Sequence, residues 1–288
     1  MPSHIFTRLG LWDESIQSNI NSIAAAQCYA QNMRIKGHWS EELHGLDYLV
    51  YAYLQKGDNT RVKEQMEYFK TINDVYPLDF KDAYSFASIP TRYSLERKNW
   101  GEAAQLKLSP EHFPWENFLW EKANIIFGRL LGAVHRNKLT DAKSELEQLR
   151  IIHKKLKESK EEYKANLILI QIKTSEGWIK LYEGNKAEAL ALMKTAADME
   201  DATEKHPVTA GEVIPARELL GDMYLEIGES VKALEAYQAD LKRHPNRFNG
   251  LYGAGLAAEK SGNIKEAILY YNQLLLLASN SSRAELIL

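Results

Sequence analysis

The chain of 288 residues has a single cysteine, Cys28, so no intramolecular disulfide and no cysteine-rich zinc site is possible. Within its helical run "IAAAQ", Cys28 reads as a packing residue rather than a nucleophile. Charge of one sign is lacking too. Lys plus Arg number 36 against 39 Asp plus Glu, a net of −3, which gives no electrostatic reason to expect nucleic acid or an anionic membrane as partner. The longest apolar runs, Leu167–Ile170 and Leu274–Ala278, fall far short of the roughly 18–20 residues of a membrane helix, so membrane insertion is not expected. Also missing are a phosphate loop, a G-x-S-x-G elbow and an HExxH pair, so no familiar catalytic signature and no cofactor is indicated. Eight prolines and sixteen glycines are too few, and too regularly placed, for disordered linkers.

What is present is a period. Gly221, Gly228, Ala233 and Tyr237 recur 34 residues later as Gly255, Gly262, Ala267 and Tyr271. Helical apolar spacing on both sides of a glycine, at that period, marks stacked helix–turn–helix units. The glycine ends one helix at positive φ, and the small residue five positions on lets two antiparallel helices approach. The same pairing runs back along the chain as Gly10/Ser15, Gly57/Val62, Asn99/Ala104, Asn137/Ala142 and Gly184/Ala189. Seven hairpins result, joined by connectors of varying length. We expect residues 1–288 to form one domain: divergent repeats to residue 160, clearer ones over 161–279, and a short cap at 280–288.

These residues resemble the tetratricopeptide repeat, with 217–279 carrying most of the likeness. Arg217 and Asp240 depart from that pattern, where Trp and Ala are usual. The stretches "MPSHIFTRLGLWDES", "LVYAYLQ", "DATEKHPVT", "IPARELLGDM" and "PNRFNGLYGA" are similar to a bacterial group of such proteins with no assigned biochemical role. The resemblance implies an all-α, right-handed α-solenoid with no sheet, and further sequence upstream. The opening stretch already lies inside a helical pattern, so we expect the natural N-terminus to be missing. No leader is visible; a cytoplasmic location follows only if Met1 is a natural start.

The resemblance also implies which positions face the concave side. They include His4, His44, Asp47 and Tyr51, then Tyr93 and Glu96, then Asn124, Phe127 and His135. Further along come Gln171, Thr174, Trp178, Tyr182, Glu218 and Asp222. Rings beside hydrogen-bonding groups suit recognition; the alternative is that the rings simply pack between helices. Chaperone-binding members of the family clamp a carboxylate with a Lys/Asn pair, which no unit here carries.

Two features stand outside the period. Residues 201–214 hold a ten-residue surplus over the clean repeat, with Pro207 and Pro215 fixing its ends. We expect this connector to be ordered against the concave side, bringing His206 with it; a mere spacer is the alternative. "IPAR" (214–217) echoes "IPTR" (89–92), each setting an Arg two residues after a helix-starting Pro. Arg92 and Arg217 are therefore candidate anion-binding residues, against the plainer reading of intramolecular ion pairs such as Arg92 with Glu96.

The leading expectation is a non-catalytic scaffold binding a protein or peptide partner. An enzyme or small-ligand binder is the alternative, with His4, His44 and Asp47 converging on a metal. The final helix, "NIKEAILYYNQLLLLASN", is apolar and poorly capped, which raises homodimerisation through an array end.

Overall fold

The computed structural model describes residues 2–279 together with 281 and 283. The expected cap at 280–288 therefore lies almost wholly outside the described residues. Within them the chain is a helical solenoid of seven hairpins. These are α1 (Pro2–Leu9) with α2 (Trp12–Asn32), α3 (Ser40–Gln55) with α4 (Asn59–Phe69), and α5 (Phe80–Leu95) with α6 (Trp100–Ala103). Next come α7 (Leu119–His135) with α8 (Leu139–Glu158), and α9 (Glu162–Tyr182) with α10 (Lys186–Asp201). The last two are α11 (Ala216–Glu226) with α12 (Ser230–Arg243), and α13 (Phe248–Lys260) with α14 (Ile264–Leu277).

Each turn is built as its residues require. Gly57, Asn137, Gly184, Gly228 and Gly262 all have positive φ, and the partner five residues on is fully buried in every case. The third turn differs by one position. There Lys98 takes the left-handed conformation (φ 50°) and the buried partner is Ala103. Asn99 is instead the N-cap of α6, its side chain accepting from the Glu102 N–H. Asp58 and Asn263 occupy the same capping place after their glycines, which explains the one-residue error.

The two helices of a hairpin are buried differently. Second helices bury a single stripe, as in α8 with Ala142, Leu146, Leu149, Ile152 and Leu156. That is the 3.6-residue periodicity of a helix with one face in water. The first helices of the second, third and fourth hairpins are covered on nearly all sides. Within α3 every residue but Glu41 is buried, and α5 and α7 are similar. A solenoid with a bare concave face would leave the inner side of these helices wet.

Two segments of the chain itself cover that side. The connector between α10 and α11 crosses α3 and α5, where Tyr48 donates to the Val208 carbonyl (2.8 Å) and Tyr84 to that of Gly211. The start of α13 meets the first two hairpins. Trp12 Nε1 donates to the Asn246 carbonyl (2.6 Å), and the Phe248 N–H to Gln55 Oε1 (2.9 Å). Gly10 (φ 67°) lies so near that a Cβ there would collide with the Pro245 carbonyl. The C-terminal hairpins thus close against the N-terminal ones.

Three further details correct expectations. A two-residue parallel pairing, β1 (His38–Trp39) with β2 (Val75–Tyr76), joins the segments before α3 and after α4, so a trace of sheet exists. Pro90 does not start a helix; it sits inside α5, whereas Pro215 is the N-cap of α11. Identical Ile-Pro-x-Arg spellings therefore occupy different structures. Cys28 is exposed on α2 rather than packed. Among the described residues no helix is long and apolar enough to cross a membrane.

Candidate functional site

The inner face divides into a buried ionic seam, a histidine pair and a chamber. The seam is made by two arginines that are each about 1% exposed. Arg92 donates to Asp47 (2.6 Å) and to the Gly211 carbonyl of the connector (2.8 Å). Its plane also lies 4.7 Å from the Tyr51 ring centre. Arg247 takes Glu218 bidentately (2.9 and 3.1 Å), Glu96 at 2.8 Å and the Tyr51 hydroxyl at 2.6 Å. Arg92 is thus an ion-pair member as the plainer reading had it, but Asp47 rather than Glu96 is its partner. Glu96 belongs to Arg247 instead. Burial pushes Glu218 up to about 7, opposed by the Arg247 charge.

His4 and His44 meet at 3.1 Å through their Nε2 atoms, and the Tyr48 ring stacks on His4. Burial lowers His4 to about 4 and His44 to about 3, so both rings are neutral at pH 7. Asp47 does not join them, because Arg92 and Ser88 hold its carboxylate (2.6 Å each). Among the described residues no three His, Cys, Asp or Glu side chains are arranged to hold a metal ion. The structure therefore does not assemble the triad of His4, His44 and Asp47.

The remaining candidates go separate ways. Tyr93 packs into the N-terminal core with the Arg97 guanidinium 3.9 Å from its ring centre. Trp178 is buried against His135, and Tyr182 lies at the edge of the same ring group. Asp222 is held by Lys98 (2.8 Å) and the Tyr237 hydroxyl (2.6 Å). Arg217 turns away from the inner face to Asp198 (2.6 Å) and Asp201 (2.5 Å) of α10. That placement corrects the expectation of a free anion-binding Arg: the two acids supply the partner its position at a helix start calls for.

His206 and Phe127 line the chamber. It lies between α7, α9 and the connector and encloses about 60 Å³, room for a small group. Its walls are Tyr84, Trp120, Phe127, Leu167 and Ile170, and the connector closes it with His206, Thr209 and Glu212. The His206 ring packs near Trp120 and Phe80, while its Nδ1 accepts from the Val208 and Thr209 N–H groups (3.3 Å each). Two carboxyl groups sit at the α11 end. Glu200 accepts from the Ala216 N–H (2.7 Å) and is raised by burial and by nearby Glu212. Glu212 is lowered, because Lys205 and His244 offset its burial.

Unsatisfied polar groups gather on the floor, with Thr209 Oγ1 of the connector as a further one. Gln171 Nε2 donates to Asn124 Oδ1 (2.9 Å) across the α7–α9 contact. Asn124 Nδ2, Gln171 Oε1 and Thr174 Oγ1 are buried with no protein hydrogen-bond partner. Such groups are rare in folded interiors, and each carries a desolvation cost of about 1–3 kcal/mol. These three positions were among the expected concave residues. Tyr84, Glu200 and Glu212 were not, since nothing local in their segments distinguishes them from ordinary helix and connector residues.

Fold and chamber together define a helical-hairpin solenoid with a self-covered inner face. No protein-family model matches the chain, and the comparison with curated proteins gave no significant match.

Proposed function

We propose that the protein is a binding scaffold of the tetratricopeptide type that takes a projecting group of a protein or peptide partner into the chamber. A long peptide laid along the whole inner face is disfavoured, because the connector and the start of α13 already occupy it. The observation that carries the reading is the chamber floor, where three unpartnered polar atoms of Asn124, Gln171 and Thr174 lie among aromatic walls. A hydrophobic wall with a few placed polar groups is the general form of a recognition pocket. The reading assigns no catalytic step.

Filling the chamber tests it. Leu167→Trp adds an indole to a partly buried wall residue. Native mass spectrometry of protein recovered from its source cells should show a bound species on the wild type that the variant lacks, at similar melting temperature. Retention of the same species by the variant would sink the chamber reading.

One observation favours a second, compatible role in self-association. Ile264, Ile268, Leu269, Leu275 and Leu276 on α14 are each at least half exposed, an apolar surface of the kind that marks contact sites. Light scattering on wild type and Leu276→Lys would show a dimer lost in the variant, and a wild-type monomer would remove this reading.

A further inference from the structure

We propose that the chamber is specific for a neutral carboxamide, a reading that rests on the chamber being the binding site. The Asn124–Gln171 pair leaves unpartnered polar atoms on the chamber floor. In this pair, which shares one hydrogen bond, one donor atom (Asn124 Nδ2) and one acceptor atom (Gln171 Oε1) are left with no partner at all. Rotating both side-chain amides exchanges the atoms but leaves the same remainder, so the conclusion does not depend on which atom is N and which is O. A ligand amide carries both complements. Its carbonyl accepts from one member of the pair while its N–H donates to the other, and the Thr174 hydroxyl serves either atom.

Charge narrows the class further. Glu212 is held ionised at the connector side of the chamber, but Lys205 and His244 face it, so an anionic ligand finds no uncompensated cation there. A cationic ligand gains little there, because Lys205 (3.6 Å) and His244 (3.5 Å) already face that carboxylate. A ketone or ester offers an acceptor alone and strands the free acceptor of the pair. Leaving a buried polar group unpaired is the basis of strong discrimination between near-isosteres. The rings of Trp120, Phe127 and Tyr84 then accommodate a flat or aliphatic body beside the amide.

The same chemistry arrives either on a small free amide or on a partner's Gln side chain, and the test separates them. Benzamide, acetophenone, benzoate, ethylbenzene and N-acetylglutaminamide are titrated against the whole chain by NMR. Benzamide or N-acetylglutaminamide should bind at least tenfold more tightly than acetophenone and benzoate, the scale of one hydrogen-bond mismatch (about 1.4 kcal/mol). Preference for benzamide identifies a small-molecule source, and preference for the glutamine derivative a partner's side chain. In the double variant Asn124→Leu, Gln171→Leu the amide should fall to the level of acetophenone while ethylbenzene is retained. Should that variant not fold, the side-chain amide resonances of Asn124 and Gln171 in the unaltered protein decide. They must move with the amides and stay still with ethylbenzene.

If ethylbenzene binds and the amides bind no better, the carboxamide assignment falls and the chamber reading stands. If none of the five probes perturbs the chamber, both fall.

Discussion

Replacing Arg247 by Met is the most demanding perturbation of the closed array. The Met side chain keeps most of the apolar stem and removes only the guanidinium. That group serves Glu218 through two hydrogen bonds, Glu96 through one and Tyr51 through one, all buried. Removing one member of a buried ion pair costs about 3–5 kcal/mol, since the other charge is left without compensation. Glu96 keeps Asn249 as a donor (3.0 Å), so we count one stranded carboxylate, that of Glu218. An exposed pair gives the reference: Lys70→Met, opposite Glu67, should leave stability nearly unchanged, since solvent screens that pair. Urea titration followed by helical circular dichroism measures both. The pH sign adds a second check. Glu218 already titrates near 7 in the fold, above its ordinary value of 4.5, and loses its opposing cation in the variant. A carboxyl raised in the folded state is protonated at no cost below its unfolded pKa, and its contribution is lost as pH rises through the folded value. The variant should therefore recover much of its deficit on going from pH 7.5 to 5, and Glu218→Gln in the same background should recover it at pH 7.5. A loss under 1 kcal/mol, or a deficit independent of pH, would refute a buried seam.

Four other outcomes are expected. Gly10→Ala should destabilise by about 3 kcal/mol, because the left-handed conformation costs about 1–2 and the new Cβ meets the Pro245 carbonyl. Gly228→Ala, at φ 84° with open space around it, should cost only about 1–2 kcal/mol in the same thermal melts. His244 is buried, yet Asp240 (2.7 Å) and Glu212 raise it to about 9. Its contribution is full below about 6.5 and lost as pH rises through 9, so His244→Gln should flatten the stability profile over that window. Arg217→Ala should lower stability by about 1 kcal/mol at most, given that Asp198 is largely exposed, and leave ligand retention by the chamber unchanged.

How much of this was legible in the sequence depends on distance along the chain. The hairpins were legible because each turn is specified within about six residues: a residue that tolerates positive φ, a cap, then a small residue that is buried. Lys98 was missed since Asn99 satisfies the same pattern one place later, as a cap rather than as the left-handed residue. Asn124, Phe127, Gln171 and Thr174 were located by the register that the tetratricopeptide resemblance implies once the turns are placed. The seam was invisible. Arg247 reaches Glu96 and Tyr51 across 151 and 196 residues, and nothing near "PNRF" says that its cation is buried. The echo of "IPTR" in "IPAR" misled because four residues do not determine whether a proline starts a helix or interrupts one. A ten-residue surplus showed that the connector was special, but its destination rests on Tyr48, Tyr84 and Arg92, which lie far upstream.

The buried charges and the chamber belong to one construction. Apolar side chains along the seam would tolerate small slips of the connector against α3 and α5, since hydrophobic contact has no direction. A guanidinium does not tolerate them: Arg92 has one carboxylate, Asp47, and two adjacent connector carbonyls, those of Gly211 and Glu212, at hydrogen-bond distance. Asp47 thus fixes Arg92, Arg92 fixes Gly211, and Gly211 is followed directly by Glu212, which stands in the chamber wall. Arg247 does the same work for the start of α13, tying α11 through Glu218 to α5 through Glu96. Segments more than a hundred residues apart are held in register by bonds that are lost on displacement by a fraction of a hydrogen-bond length. The binding we propose for a chamber walled by α5, α7, α9 and a loop needs that register, because selectivity there would depend on where a few polar atoms sit. The buried ion pairs therefore set the geometry of the proposed binding site.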